Sequence, residues 1–155
     1  MTRNDIKKAV DDFIALIECG CGSIEDNETT LKLLLDQLAM AQHFASSKFD
    51  DLEYAEAPVK ANDELRKLVT VRFPNYGYYN AAENVTEKIS ESGVTVGDAI
   101  DDIMDIAGDL FESKWRWEKN SAEDGLWYFK NSFETHWRDH LRELQVYLLN
   151  LDRGT

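Results

Sequence analysis

The chain has little of what marks the more specialised protein classes. Its 155 residues include only two prolines and eight glycines, too few for a loop-rich or all-β chain that needs turn signals at short intervals. Two cysteines do not make a disulfide scaffold. They stand as Cys19-Gly20-Cys21, where a bridge would close a tiny loop and add little stability, and a single Cys-x-Cys is a weak metal signal. Both read as structural thiols at a helix end. Basic residues are scarce: 17 Lys and Arg against 30 Asp and Glu give a net charge of −13. That balance opposes nucleic acid and anionic membranes, and it suits a basic protein partner or a cation. No apolar run approaches the length that spans a bilayer. The start, Met1-Thr-Arg-Asn-Asp-Ile-Lys-Lys, runs straight into an amphipathic pattern without a signal-peptide core. No phosphate-binding glycine loop or recognisable nucleophile motif occurs. The expectation is a cytoplasmic protein, monomeric or homodimeric, with no nucleic-acid or membrane partner.

What the chain does have is helix. Hydrophobic residues make up 43%, enough for the core of one domain. Ile6, Val10, Phe13, Ile14 and Ile17 recur at helical spacing and predict a helix from an Asn4 cap to about Glu18. Glycine at Cys19-Gly-Cys-Gly22 would stop it. A second helix is expected from about Glu28 to Ser47, closing an antiparallel hairpin over 4–47. Residues 50–60 are acidic, contain Pro58 and lack periodicity, as a linker would. Asn62 should cap a short helix to Arg72, which Pro74 ends. A further short helix is expected over Ala81 to Ser90. Thr95 with Asp98, and Ser121 with Asp124, are capping-box-like starts. They open a helix to about Lys119 and a long last helix to about Leu151, making a C-terminal pair over 96–151. The predicted fold class is all-α, a single-domain bundle of about six helices, mostly antiparallel.

Chemistry concentrates in that C-terminal pair. Asp98, Asp101, Asp102, Asp105 and Asp109 lie opposite a stripe of Val96, Ala99, Ile100, Ile103, Ala107 and Leu110 at 100° per residue. One reading is a solvated face. The other is cation binding: aspartate is a poorer helix former than glutamate, the helix dipole accounts for Asp98 alone, and short carboxylates suit coordination by oxygen. On the last helix, a 3.6-residue period through Leu126, Phe129, Phe133, His136/Trp137, His140 and Leu144 puts both histidines on the core stripe. Their i, i+4 spacing is that of a helical zinc pair, but Trp137 replaces the glutamate that a His-Glu-x-x-His protease uses as base. They read either as satisfied core histidines or as metal ligands together with Asp102, Asp105 or Asp109. Imidazole plus carboxylate suits Zn²⁺, Mn²⁺ or iron better than Mg²⁺.

Aromatic residues crowd two places. Trp115, Trp117, Trp127, Tyr128, Phe129, Phe133 and Trp137 cluster near the last turn, and Tyr76, Tyr78 and Tyr79 share one turn. Most fit a core, but tyrosine and tryptophan also mark recognition surfaces. Tyr76, Tyr79 and Trp127 are the candidate ligand-contacting residues.

The two segments that carry the carboxylates and the histidines resemble an uncharacterised bacterial family, domain of unknown function 5063. Val96-Gly-Asp-Ala-Ile-Asp-Asp-Ile-Met-Asp-Ile-Ala-Gly-Asp-Leu110 is similar to its Leu-Ala-Asp-Asp-Leu-Ala-Asp-Ile-Tyr-x-Asp-Leu run, with Asp101, Asp102, Asp105 and Asp109 as the family's aspartates and Ala107 where tyrosine is frequent. Trp127-Tyr-Phe-Lys-Asn-Ser-Phe-Glu-Thr-His-Trp-Arg-Asp-His140 is similar to its Trp-x-x-Arg-x-Ser-Phe-x-x-His-Trp-Gly-x-His, with Lys130 for the arginine and Arg138 for the glycine. The resemblance implies an all-helical domain and no particular activity. From the residues alone, the first expectation is a non-enzymatic acidic interaction module that needs no cofactor. The alternative is a divalent-metal-dependent hydrolase of phosphoesters or nucleotides.

Overall fold

The computed structural model describes residues 1–46, 48–59 and 61–154. Ser47 and Lys60, at the ends of the expected second helix and linker, lie outside the described residues, as does Thr155. Helix α1 (Arg3–Cys19) and helix α2 (Ile24–Ala41) each open on a complete capping box, Thr2 with Asp5 and Ser23 with Asp26. These boxes satisfy two orphan donors at each helix start. They displace the expected Asn4 cap and start α2 four residues before Glu28. Residues 48–59 have no regular secondary structure. Helix α3 (Asn62–Arg72) begins after Ala61, so Asn62 lies inside the first turn rather than capping it.

The expected helix over Ala81–Ser90 does not form. Strand β1 (Tyr78–Ala82) pairs antiparallel with strand β2 (Val94–Asp98), and Tyr79 faces Gly97 across the ladder. The reason is visible in the residues. Val85 and Ile89, the apolar pair a helix there would bury, are both exposed. The tyrosines and Val94-Thr95-Val96 have the β-branched and aromatic character that favours strands. With Val94 to Gly97 in a strand, the box expected of Thr95 is lost, and Asp98 caps helix α4 (Ala99–Lys119) by accepting from the Ile100 amide.

Ser121 caps the last rod as expected. The rod consists of helix α5 (Ala122–Ser132), a π-helical turn (Phe133–Trp137) and helix α6 (Arg138–Asp152). The protein is thus mostly helical: the described residues form five helical rods and one small hairpin, in place of about six helices.

The core runs through all five rods. Helix α4 is its centre and packs against α1, α3, α5 and α6. A helix with neighbours on so many sides has little circumference left for water, and this decides the fate of its aspartates. The π turn also has a cause in the sequence. Phe129, Phe133, Trp137 and Leu141 are all buried and spaced 4-4-4. An α-helix advances about 40° past a full turn with each four-residue step, so such a stripe drifts away from the core. One wider turn absorbs the drift. Trp137 is fully buried there, its indole nitrogen donating to Ser132 Oγ at 3.1 Å. No helix among the described residues is long and apolar enough to cross a membrane.

Candidate metal centre

Asp102, Asp105 and Asp109 follow i, i+3, i+7 spacing, which places them on one face of α4. That face meets the π turn and the start of α6. Asp102 is 4% exposed and the Asp109 side chain 15%, so the solvated-face reading fails for these two, while Asp105 is partly exposed and turned toward the histidines. That reading holds for Asp101, whose side chain is 57% exposed and lies 3.9 Å from Arg66. Asp98 serves as the cap and accepts from Arg66 at 3.0 Å.

The core-stripe reading of the histidines is also overturned. The His136 side chain is 47% exposed, while its neighbour Trp137 takes the core position. The π turn slows the winding around them, so a constant 3.6-residue period misplaces both rings. His140 is partly buried. The two rings meet edge to face with centroids 5.1 Å apart.

Each ring is held on one side and presented on the other. His140 Nδ1 lies 2.8 Å from Asp102 Oδ1, and His136 Nδ1 lies 2.6 Å from Asp109 Oδ2. A carboxylate only accepts, so each Nδ1 carries the proton and donates it. The opposite nitrogens converge on a third carboxylate. His140 Nε2 is 3.2 Å from Asp105 Oδ2, and His136 Nε2 is 3.8 Å from Asp105 Oδ1. The aspartates that orient the rings are themselves held: Tyr79 donates to Asp102 at 2.5 Å and Tyr128 donates to Asp109 at 3.1 Å.

Charge and burial work together here. The bond to Asp102 raises the affinity of His140 for its proton, and the charges of Asp105 and Glu143 add to it against the opposing effect of burial. Burial raises the Asp105 carboxyl above the ordinary aspartate range. It likewise pushes both tyrosine hydroxyls up, so they stay protonated donors.

Asp105, His136 and His140 offer one ligand atom each within 4.8 Å of one another. Tetrahedral bonds near 2.1 Å need ligand atoms about 3.4 Å apart, so closing on an ion asks for a contraction of roughly an ångström. Asp105, Asp109 and His136 also border a cleft of about 540 Å³ that is lined as well by Leu65, Met104, Phe111 and Trp115.

The other candidate residues divide. Tyr79 is at the centre, as a partner of Asp102. Tyr76 is a core residue, 7% exposed and stacked on Phe73 at 5.4 Å. Trp127 packs edge-on against Phe49, with ring centroids 4.9 Å apart, outside this cluster. Cys19 and Cys21 are free and exposed at the end of α1. Sequence reasoning misses the role of Tyr128, because nothing in its spacing separates it from the core aromatics around it.

These features define a helical protein with a histidine–carboxylate cluster beside an open cleft. No protein-family model and no curated protein matches the chain. Among solved structures it is similar to the crystal structure of protein BF1032 from Bacteroides fragilis, a structural-genomics target. The TM-score is 0.72 at 14% identity, covering 96% of this chain and 90% of that one. At that identity the likeness shows the fold alone.

Proposed function

We propose that the protein binds one divalent metal ion through Asp105, His136 and His140 and acts as a metal-dependent hydrolase. The observation that carries this is the paired orientation of the imidazoles. Both give Nδ1–H to an aspartate of α4, and both turn Nε2 toward Asp105. Histidine ligands in metal sites are oriented in this way by a carboxylate on the far nitrogen. Three protein ligands beside a cleft fit a catalytic site, since structural zinc sites are closed by four. Two imidazoles and one carboxylate suit Zn²⁺, Mn²⁺ or Fe²⁺. A bound ion of this kind supplies hydroxide near neutral pH by acidifying a coordinated water.

A phosphoester or nucleotide remains the substrate class of this reading. The described residues lining the cleft include Asp101, Asp109 and Glu112 and no lysine or arginine, so the metal itself would supply the positive charge that receives an anionic group. Membership of domain of unknown function 5063 belongs to the same proposal. The two segments that resemble it meet in space at this centre.

The interaction-module reading has its own support. The hairpin region exposes Tyr78, Val85, Ile89, Val94 and Val96, and exposed apolar surface of this kind marks contact sites. A basic protein that also buries these residues would match both the patch and the charge of −13.

Titration of EDTA-treated protein with Co²⁺, followed by azide, tests the hydrolase reading. The expected result is saturation near one equivalent, and d–d bands that change when azide enters a free coordination position. Failure to bind Co²⁺, or a spectrum indifferent to azide, overturns it.

A further inference from the structure

We infer that Tyr79 and Tyr128 are positioning residues of the metal centre, each clamping the carboxylate that orients one imidazole, so that two Tyr–Asp–His chains converge on Asp105. This rests on the metal reading above and adds the residues that set its geometry.

The two chains are built alike from different parts of the fold. In one, Tyr79 donates to Asp102 at 2.5 Å, and Asp102 accepts from His140 at 2.8 Å. In the other, Tyr128 donates to Asp109 at 3.1 Å, and Asp109 accepts from His136 at 2.6 Å. In both, one aspartate oxygen takes the tyrosine and the other takes the imidazole. An aspartate carboxylate is free to rotate about its last bond, and fixing one oxygen fixes where the other points. The tyrosine therefore acts on the imidazole at one remove, as outer-shell partners of metal ligands do.

The chains differ in how their tyrosines are delivered. Tyr128 sits on α5, in the same rod as the histidines. Tyr79 comes from the hairpin, which gives a small sheet a role in an otherwise helical protein. Gly97, its cross-strand partner, makes the delivery feasible. A Cβ at Gly97 would lie 2.2 Å from Tyr79 Cζ and 2.6 Å from its hydroxyl. The bare glycine lets the ring lie across β2 and reach Asp102. Tyr147 flanks the ring at 5.2 Å and holds the start of β1 by accepting from the Gly77 amide at 3.1 Å.

The test combines two readouts on wild type, Tyr79→Phe, Tyr128→Phe and Gly97→Ala. Histidine ring ¹⁵N shifts in the metal-free protein report tautomer and hydrogen bonding. Titration with Co²⁺ and Zn²⁺ reports affinity. Tyr79→Phe should move the His140 ring signals and leave those of His136, with Tyr128→Phe doing the reverse. Each should weaken metal binding by about 10–100-fold, the usual effect of losing an outer-shell partner. Gly97→Ala should reproduce Tyr79→Phe, because displacing the ring breaks the same bond. Tyr54→Phe is the control. It removes a tyrosine–carboxylate bond of 2.5 Å, to Asp50, outside the centre, and should change neither readout. Ring signals that move as stated in a protein that binds no metal would uphold the positioning role and remove the metal. Unchanged His140 signals and unchanged affinity in Tyr79→Phe would overturn the inference.

Discussion

Asp102 has two polar partners and almost no water, whereas Asp101, next to it in the chain, is mostly solvated. Replacing Asp102 with alanine leaves His140 Nδ1 without its acceptor and the Tyr79 hydroxyl with only the longer contact to Glu143, at 3.4 Å. That should cost about 1–3 kcal/mol. Asp101→Ala should stay within about 0.5 kcal/mol, and chemical denaturation of the two variants compares them directly. Equal stabilities would contradict the inward orientation of Asp102. The acid–base behaviour of the metal-free protein depends on His140. The groups facing it are Asp102 and Asp105 from α4, Glu143 from its own helix and the His136 ring. Its affinity for a proton is raised by folding above the ordinary value of 6.5. The stabilisation is therefore complete below that value and is lost as pH rises through the folded one. Asp105, also raised, has the same sign. The melting temperature of EDTA-treated protein should fall as pH rises above the ordinary histidine value, more steeply in wild type than in His140→Gln. Parallel profiles would contradict the bond to Asp102. The sequence picks out the aspartates and histidines that gather at this centre but not which way they face. Spacing alone does not separate Asp102, Asp105 and Asp109 from the rest, since Asp98, Asp101 and Asp105 also follow i, i+3, i+7; only the neighbours of that face decide which carboxylates turn inward.

The elements with a strong local signal match their sequence best. α1, α3, α4 and the last rod track their apolar stripes, and their expected spans differ from the observed ones by a few residues, although of the expected caps at Asn4, Asn62, Thr95 and Ser121 only Ser121 holds. The hairpin escapes a periodicity reading because a two-stranded ribbon leaves no long alternating pattern, and because Val85 and Ile89 imitate the i, i+4 pair of a helix. The π turn is written in the 4-4-4 spacing of Phe129, Phe133, Trp137 and Leu141, a pattern that a fixed 3.6-residue period cannot accommodate. Ser132 ties this turn together. Its hydroxyl donates to the Tyr128 carbonyl at 2.6 Å and accepts from Trp137 Nε1 at 3.1 Å. Ser132→Ala orphans the buried indole N–H and should cost about 1–3 kcal/mol. Because the turn sets the direction of His136, the variant should also weaken metal binding. Near-UV circular dichroism and a Zn²⁺ titration read the two effects. An unchanged titration beside a lost tryptophan signal would separate the turn from the site.

For the whole molecule, the central place of α4 links fold and site. A helix surrounded by four others must direct even its polar face at a neighbour, and the neighbour here supplies two imidazoles. The net charge of −13 then has two parts: solvated carboxylates that keep the surface acidic, and three carboxylates of α4 directed at the histidines. Metal analysis after equilibrium dialysis against Zn²⁺, with melting curves on the same samples, decides whether Asp105, His136 and His140 hold an ion. About one ion per chain is expected in wild type, with a melting temperature raised by mass action. Asp105→Ala, His136→Ala and His140→Ala should each stay folded and lose both effects. No bound ion in wild type, or one retained by all three variants, would contradict this assignment.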